Sequence, residues 1–171
     1  MFLINVEIDT RFGEDLTKRV HAAIIKKVHY RLGAYWLHEI RPRHFTKQAP
    51  QIYGYAPRQG EGPRSKEKKS FFASYLGRKQ KTKRHQRPLV FSGTSERLSA
   101  QGEVRPTSKR VRVVMRVPAF NFVQTRRGYT INMREELTRV TQSERNQLGR
   151  VAADIYQDEL NRHRETVRET V

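Results

Sequence analysis

The sequence predicts an α+β fold: a small, mainly antiparallel sheet packed on long N- and C-terminal helices, with an extended basic arm. Three observations predict it. Apolar residues alternate with period two at the start and again up to Val117. They recur at three- and four-residue steps after Phe12 and after Thr141. Between them, residues 58–88 are rich in cations and poor in anything to bury. At 171 residues the chain is about the size of one domain, so residues 1–171 are expected to form a single domain with the arm inserted in it. Hydrophobic residues make up 36%, below the roughly 45–50% usual in globular domains. Part of the chain is therefore expected to stay outside the core.

Phe2, Ile4, Val6 and Ile8 alternate with polar neighbours and predict an opening strand. From about Phe12, Leu16, Val20, Ala23, Ile24 and Val28 fall on one helical face, with Glu14 and Asp15 near the positive end of the helix. This helix is expected to run to about Leu32 or beyond, with Gly33 placed to end or loosen it. Tyr35, Trp36, Leu37 and Ile40 add an apolar cluster before Pro42 stops any helix. Thr46 is placed to cap a short helix holding Ala49, Ile52 and Tyr53.

The charge is unevenly spread. Lys and Arg number 35 against 17 Asp and Glu, a net +18, where about 2–8 suits a small soluble domain. Half of that excess lies in residues 58–88, where eleven cations face only Glu61 and Glu67. Glycines and prolines open this segment as a loop, and Phe71, Phe72, Tyr75 and Leu76 are spaced for one face of a short helix within it. The expectation is an arm with one or two anchored turns and a strongly cationic surface, suited to an anionic partner.

Regular structure is expected to resume as a strand at Leu89, Val90 and Phe91, followed by a turn at Ser92 and Gly93. Leu98, Ala100, Gly102 and Val104 alternate, residues 106–109 read as a turn, and Val111, Val113, Met115 and Val117 alternate again. Together they predict a hairpin with Arg110, Arg112 and Arg116 on its outward side. Residues 120–123 suggest another strand. Thr141 and Glu144 fit a capping box, and Leu148, Val151, Ala152, Ile155 and Tyr156 form the stripe of a last helix running to about Arg164.

Chemistry-bearing patterns are few. With no cysteine, a disulfide framework, a thiolate zinc site and a cysteine nucleophile are all excluded. The six histidines, at 21, 29, 38, 44, 85 and 163, follow no metal-ligand spacing, and His21 and His29 read as solvated helix histidines. Glu7 and Asp9 share one side of the opening strand; a magnesium-dependent nuclease could use such a pair, but alternation puts it on the solvent side. No nucleophile elbow or phosphate-cradling glycine loop occurs. No enzyme, cofactor or metal site is expected. Neither a signal peptide nor an apolar run of roughly 20 residues is present, which predicts a soluble protein made in the cytoplasm, with no membrane partner.

Four segments in order, PRHFTKQAPQIYGYAPR (residues 42–58), YLGRKQ (75–80), RPLVFSGTSERL (87–98) and REELTRVTQSERNQL (134–148), resemble the tail-completion or neck proteins of tailed bacteriophages. The likeness covers most of residues 42–160. It departs from the family pattern at Thr94 and Ser95, where such proteins often carry a leucine after the Ser/Thr-Gly pair. The matching positions are His44, Phe45, Tyr53, Tyr55, Arg58, Tyr75, Pro88, Leu89 and Gly93, none with a catalytic role in that family. Phe45 and Leu89 are expected in the core, Gly93 in a turn, and Tyr53 and Tyr55 packed with their hydroxyls at the surface.

The resemblance implies a virion structural protein at the head-to-tail junction. It would form a homo-oligomeric ring between the portal or its adaptor and the tail tube or tail terminator, with genomic DNA passing through the centre. The residues expected to meet a neighbouring subunit or ring are Arg58, Arg64, Lys66, Lys68, Lys69, Phe71, Phe72, Tyr75, Arg78, Lys79, Lys81, Lys83, Arg84 and Arg87. Arg110, Arg112 and Arg116 are candidates to face the channel or contact a polyanion. The rival reading is a basic nucleic-acid-binding module, ribosome-associated or DNA-packaging, since the same cations would neutralise phosphates.

Overall fold

The computed structural model describes residues 18–57, 75–84, 87, 89, 93–126 and 129–169. In chain order its elements are α1 (Lys18–Tyr35), a π-helical turn (Trp36–Ile40), a 3-10 turn (Arg41–Phe45), α2 (Ala49–Tyr53), α3 (Tyr75–Lys83), α4 (Thr94–Ala100), β1 (Glu103–Pro106), β2 (Val111–Val114), a second 3-10 turn (Pro118–Asn121), β3 (Val123–Arg126), β4 (Tyr129–Asn132), α5 (Met133–Thr138) and α6 (Gln142–Glu169). The protein is α+β, with long helices towards both ends. Its described strands form two separate antiparallel pairs, β1–β2 and β3–β4, rather than one sheet. The expected opening strand lies outside the described residues.

The chain divides into two compact units. The first holds the residues up to Ile40, Gly102–Met115 and those from Gln142 onward; the second holds Arg41–Gln101 and Arg116–Thr141.

In the first unit, Ile24, Ile25, Val28 and Leu32 fall on the buried face of α1, the outcome that their three- and four-residue spacing dictates. Ile155 and Tyr156 of α6 close a core cluster with Ile24, Ile25 and Val28, flanked by Val20, Val151 and Leu160. Each such side chain removed from water contributes about 1.5–3 kcal/mol, so the pairing of the two long helices is the main hydrophobic event here. α6 begins one residue after Thr141, with Glu144 buried in its first turn. Its 28 residues run past Arg164 and span about 42 Å at 1.5 Å per residue.

Gly33 does not end α1. A Cβ there would lie 2.7 Å from a methyl of Val104 and 2.7 Å from one of Val111, so the missing side chain is what lets the β1–β2 ribbon approach the helix. The α-helix gives way only after Tyr35, to a wider π turn that buries Trp36, Leu37 and Ile40. His29, expected to be solvated, is buried and donates its Nδ1–H to the Thr107 carbonyl at 2.6 Å, tethering the hairpin turn to α1.

In the second unit, a 3-10 turn takes up the chain around Pro42, whose missing N–H forbids α-helical continuation. Thr46 does not cap α2: its hydroxyl donates to the Arg43 carbonyl at 2.8 Å, and Gln48 occupies the cap position with Pro50 in the first turn. Gly54 ends α2 in the left-handed conformation, φ 60°, its N–H returning to the Pro50 carbonyl.

Three further expectations are corrected. Leu89 is buried as predicted but sits in a turn with φ 54°, not in a strand; residues 90 and 91 lie outside the description. The stretch from Thr94 to Ala100 is helical, not extended. Its apolar alternation is carried by Leu98 and Ala100 alone, residues that are themselves good helix formers, and Gly93 at φ 82° turns the chain into the helix. Residues 118–121 form a 3-10 turn that buries Phe120, with the strand starting at Val123. α5 is capped by Asn132, whose side chain accepts the Glu135 N–H at 3.3 Å.

Candidate partner and polyanion interfaces

Two cationic surfaces are candidates, one in each unit. In the second unit, α3 is the described part of the basic segment. Arg78, Lys81, Lys83 and Arg84 are exposed on it. Lys79 is not: it is 1% exposed and its ammonium donates to the Arg87 carbonyl. Arg87 in turn pairs with Glu96 at 3.1 Å. The two cations thus root the segment in its own chain, and the other four project. A helix places residues two apart on different sides, so Lys79 turns inward while Arg78 and Lys81 face out.

Beyond that root, Arg41 is buried and donates to the Glu96 carbonyl at 3.1 Å and to the Ser99 hydroxyl at 2.7 Å, with its guanidinium 5.6 Å from the centre of the Phe45 ring. Burial pulls its pKa below the ordinary arginine value, opposed by Glu96. Arg41 therefore clamps α4 to the 3-10 turn, a role no sequence pattern signalled. Arg58, Arg64, Lys66, Lys68, Lys69, Phe71 and Phe72 lie outside the described residues, as do Pro88, His85, Glu7 and Asp9. Tyr75 opens α3.

Three of the residues that carry the family resemblance, His44, Tyr53 and Tyr55, make an internal aromatic stack. The His44 ring lies 3.9 Å from that of Tyr53, at 14° between planes, and Tyr55 stacks beyond at 5.9 Å from Tyr53. His44 is fully buried, and its Nδ1 is hydrogen-bonded to the Tyr55 hydroxyl at 2.6 Å. The Tyr55 hydroxyl is therefore inside and not at the surface. Arg139 donates to the Tyr53 carbonyl at 3.0 Å, and the Ala56 N–H donates to the buried carboxylate of Glu136 at 3.1 Å. The His44–Tyr55, Arg139–Tyr53 and Ala56–Glu136 bonds hold the chain path, an arrangement that stabilises a fold.

In the first unit, the β1–β2 ribbon pairs Val104 with Val113 and Pro106 with Val111 on the face turned to α1. Arg105 and Arg112 are directly opposite each other on the outward face. Arg110 is exposed beside the turn and Arg112 is half-buried. Arg116 is exposed and follows the end of β2. Arg105, which the sequence reading missed because the strand was placed by its valines, belongs to the outward face as well. Arg105 bonds Glu103 at 2.7 Å, and this contact raises its pKa.

Among the described residues, no group of three His, Asp or Glu side chains is placed to hold a metal, and no helix is long and apolar enough to cross a membrane. No family model, curated protein or solved structure matches the chain.

Proposed function

We propose that this chain is a virion structural protein of the head-to-tail junction of a tailed bacteriophage. It assembles as a ring between the portal or its adaptor and the tail tube, around the path of the genome. One observation carries the reading: a cationic helix whose inward lysine is bonded to its own chain while four neighbouring cations, Arg78, Lys81, Lys83 and Arg84, stand exposed. A rooted segment loses less entropy on docking than a free one, and closed symmetry repeats a single such contact at every interface of a ring. The ordered motifs from residue 42 to residue 148 supply the family.

The internal roles of His44, Tyr53 and Tyr55 support a structural reading, since these three resemblance residues are buried and stacked or hydrogen-bonded to one another within the fold. The rival, a basic nucleic-acid-binding module acting alone, draws on the same net charge.

Light scattering on the purified chain, and mass spectrometry of purified particles, test the proposal with the variant Arg78→Glu/Lys81→Glu/Lys83→Glu/Arg84→Glu. The chain is expected in mature particles and in a ring-sized assembly, and the charge reversal is expected to leave circular dichroism unchanged while abolishing assembly. A solitary chain that is absent from particles, or a reversed variant that assembles normally, overturns it.

A further inference from the structure

We propose that the outward face of the β1–β2 ribbon binds the phosphate backbone of nucleic acid, with Arg105, Arg110 and Arg112 as its contacts. Register puts the three together. Arg105 is the cross-strand partner of Arg112, and the Thr107 N–H donates to the Arg110 carbonyl at 2.8 Å, continuing the same register towards the turn. Residues opposite one another in a ladder project to the same side, as do residues two apart along a strand. Lys109 is exposed at the turn between them.

The ribbon cannot present its other face instead. Val111 and Val113 are buried, Val104 and Val111 close on Gly33 of α1, and Thr107 is held by His29. A slip of one residue would bury the arginines and expose the valines.

Two guanidiniums directly opposed across a ladder repel each other, and the local compensation is incomplete. Glu103 pairs with Arg105 at 2.7 Å. Arg112 has no ion pair with a described residue, and its Nε is buried without a hydrogen-bond partner. A phosphodiester, with one negative charge shared over two non-bridging oxygens, is the right ligand for such an arrangement: it can accept from both forks and offset the repulsion. The four cations of the ribbon, Arg105, Lys109, Arg110 and Arg112, meet the single acid Glu103.

Nucleic acid is favoured over an acidic protein by what the face lacks. Protein interfaces centre on apolar and aromatic residues and are depleted of charge there. The exposed part of this face carries Glu103, Arg105, Thr107 and Arg110, with no exposed large hydrophobic residue, as expected of a polar, positively charged nucleic-acid surface.

The test is binding of a short labelled duplex of arbitrary sequence, and of one of its single strands, by the full chain across about 50–200 mM salt. It is read whatever the oligomeric state, so ring assembly can fail without touching this proposal, and the reverse. The variant is Arg105→Gln/Arg110→Gln/Arg112→Gln. The control removes three exposed cations elsewhere in the same unit, Lys26→Gln/Arg145→Gln/Arg150→Gln. Each lost phosphate contact lowers the slope of log K against log salt by about 0.9 for duplex and about 0.7 for single strand. The ribbon variant is expected to lose about 2.7 in duplex slope, at least one more than the control. A smaller difference overturns the proposal, as does poly-glutamate displacing the duplex as well as unlabelled duplex does. Circular dichroism of both variants confirms that the fold is retained.

Discussion

The Arg31 guanidinium lies 3.3 Å from the Glu159 carboxylate, tying α1 to α6 across the interface of the two long helices. Lys27, at 3.4 Å, and Arg162, at 3.6 Å, complete a ring of cations around a carboxylate whose side chain is 6% exposed. Because the cations remain reached by water, removing the carboxylate strands none of them in the core, and its loss costs less than breaking a fully buried pair. Glu159→Ala is expected to lower stability by about 1–2 kcal/mol. Lys27→Ala, at an exposed partner, should stay within about 0.5 kcal/mol. Urea midpoints of the two variants check the order.

Gly33→Ala pits helix propensity against packing. In an open helix the change gains about 1 kcal/mol. Here the new methyl meets Val104 and Val111 at 2.7 Å, and overpacking of this kind costs about 1–3 kcal/mol. Net destabilisation is expected. Adding Val104→Ala should recover part of it, a coupling that thermal unfolding of the single and double variants measures.

Lys79 and Lys81 stand two residues apart and should behave oppositely. Lys79→Ala removes a buried ammonium from the Arg87 carbonyl and is expected to cost about 1–3 kcal/mol. Lys81→Ala, on the exposed side, should leave stability within about 0.5 kcal/mol. Equal urea midpoints for the two variants would refute the inward role of Lys79.

Burial raises the pKa of Tyr156 above the usual 10.0 of a tyrosine. The folded state then holds this proton where the unfolded state has released it. The contribution of Tyr156 is fully present below pH 10 and is lost as the pH rises from there through the higher folded value. The fall in unfolding free energy above pH 10 should therefore be shallower in Tyr156→Phe than in the parent, as read from urea midpoints at stepped pH.

Local pattern in the sequence was enough for the elements whose burial is one-sided. Ile24, Val28 and Leu32 mark the inner face of α1, Ala152, Ile155 and Tyr156 that of α6, and Val111 and Val113 that of β2, because a single buried face leaves a period of 3.6 or 2 along the chain. Leu98 and Ala100 misled because two residues cannot separate those periods. The charge of residues 58–88 was likewise legible, since it depends on composition alone.

Tertiary structure alone decided which charges are available. Arg105 faces Arg112 only through the register of two strands. Lys79 turns inward while Lys81 does not, Arg41 reaches Ser99 across 58 positions, and His29 is buried rather than solvated. Each outcome depends on which distant backbone carbonyl, ring or carboxylate arrives beside the side chain when the core closes. Hydrophobic burial is written along the chain as a period; the pairing of polar groups is set by contacts between segments far apart in it.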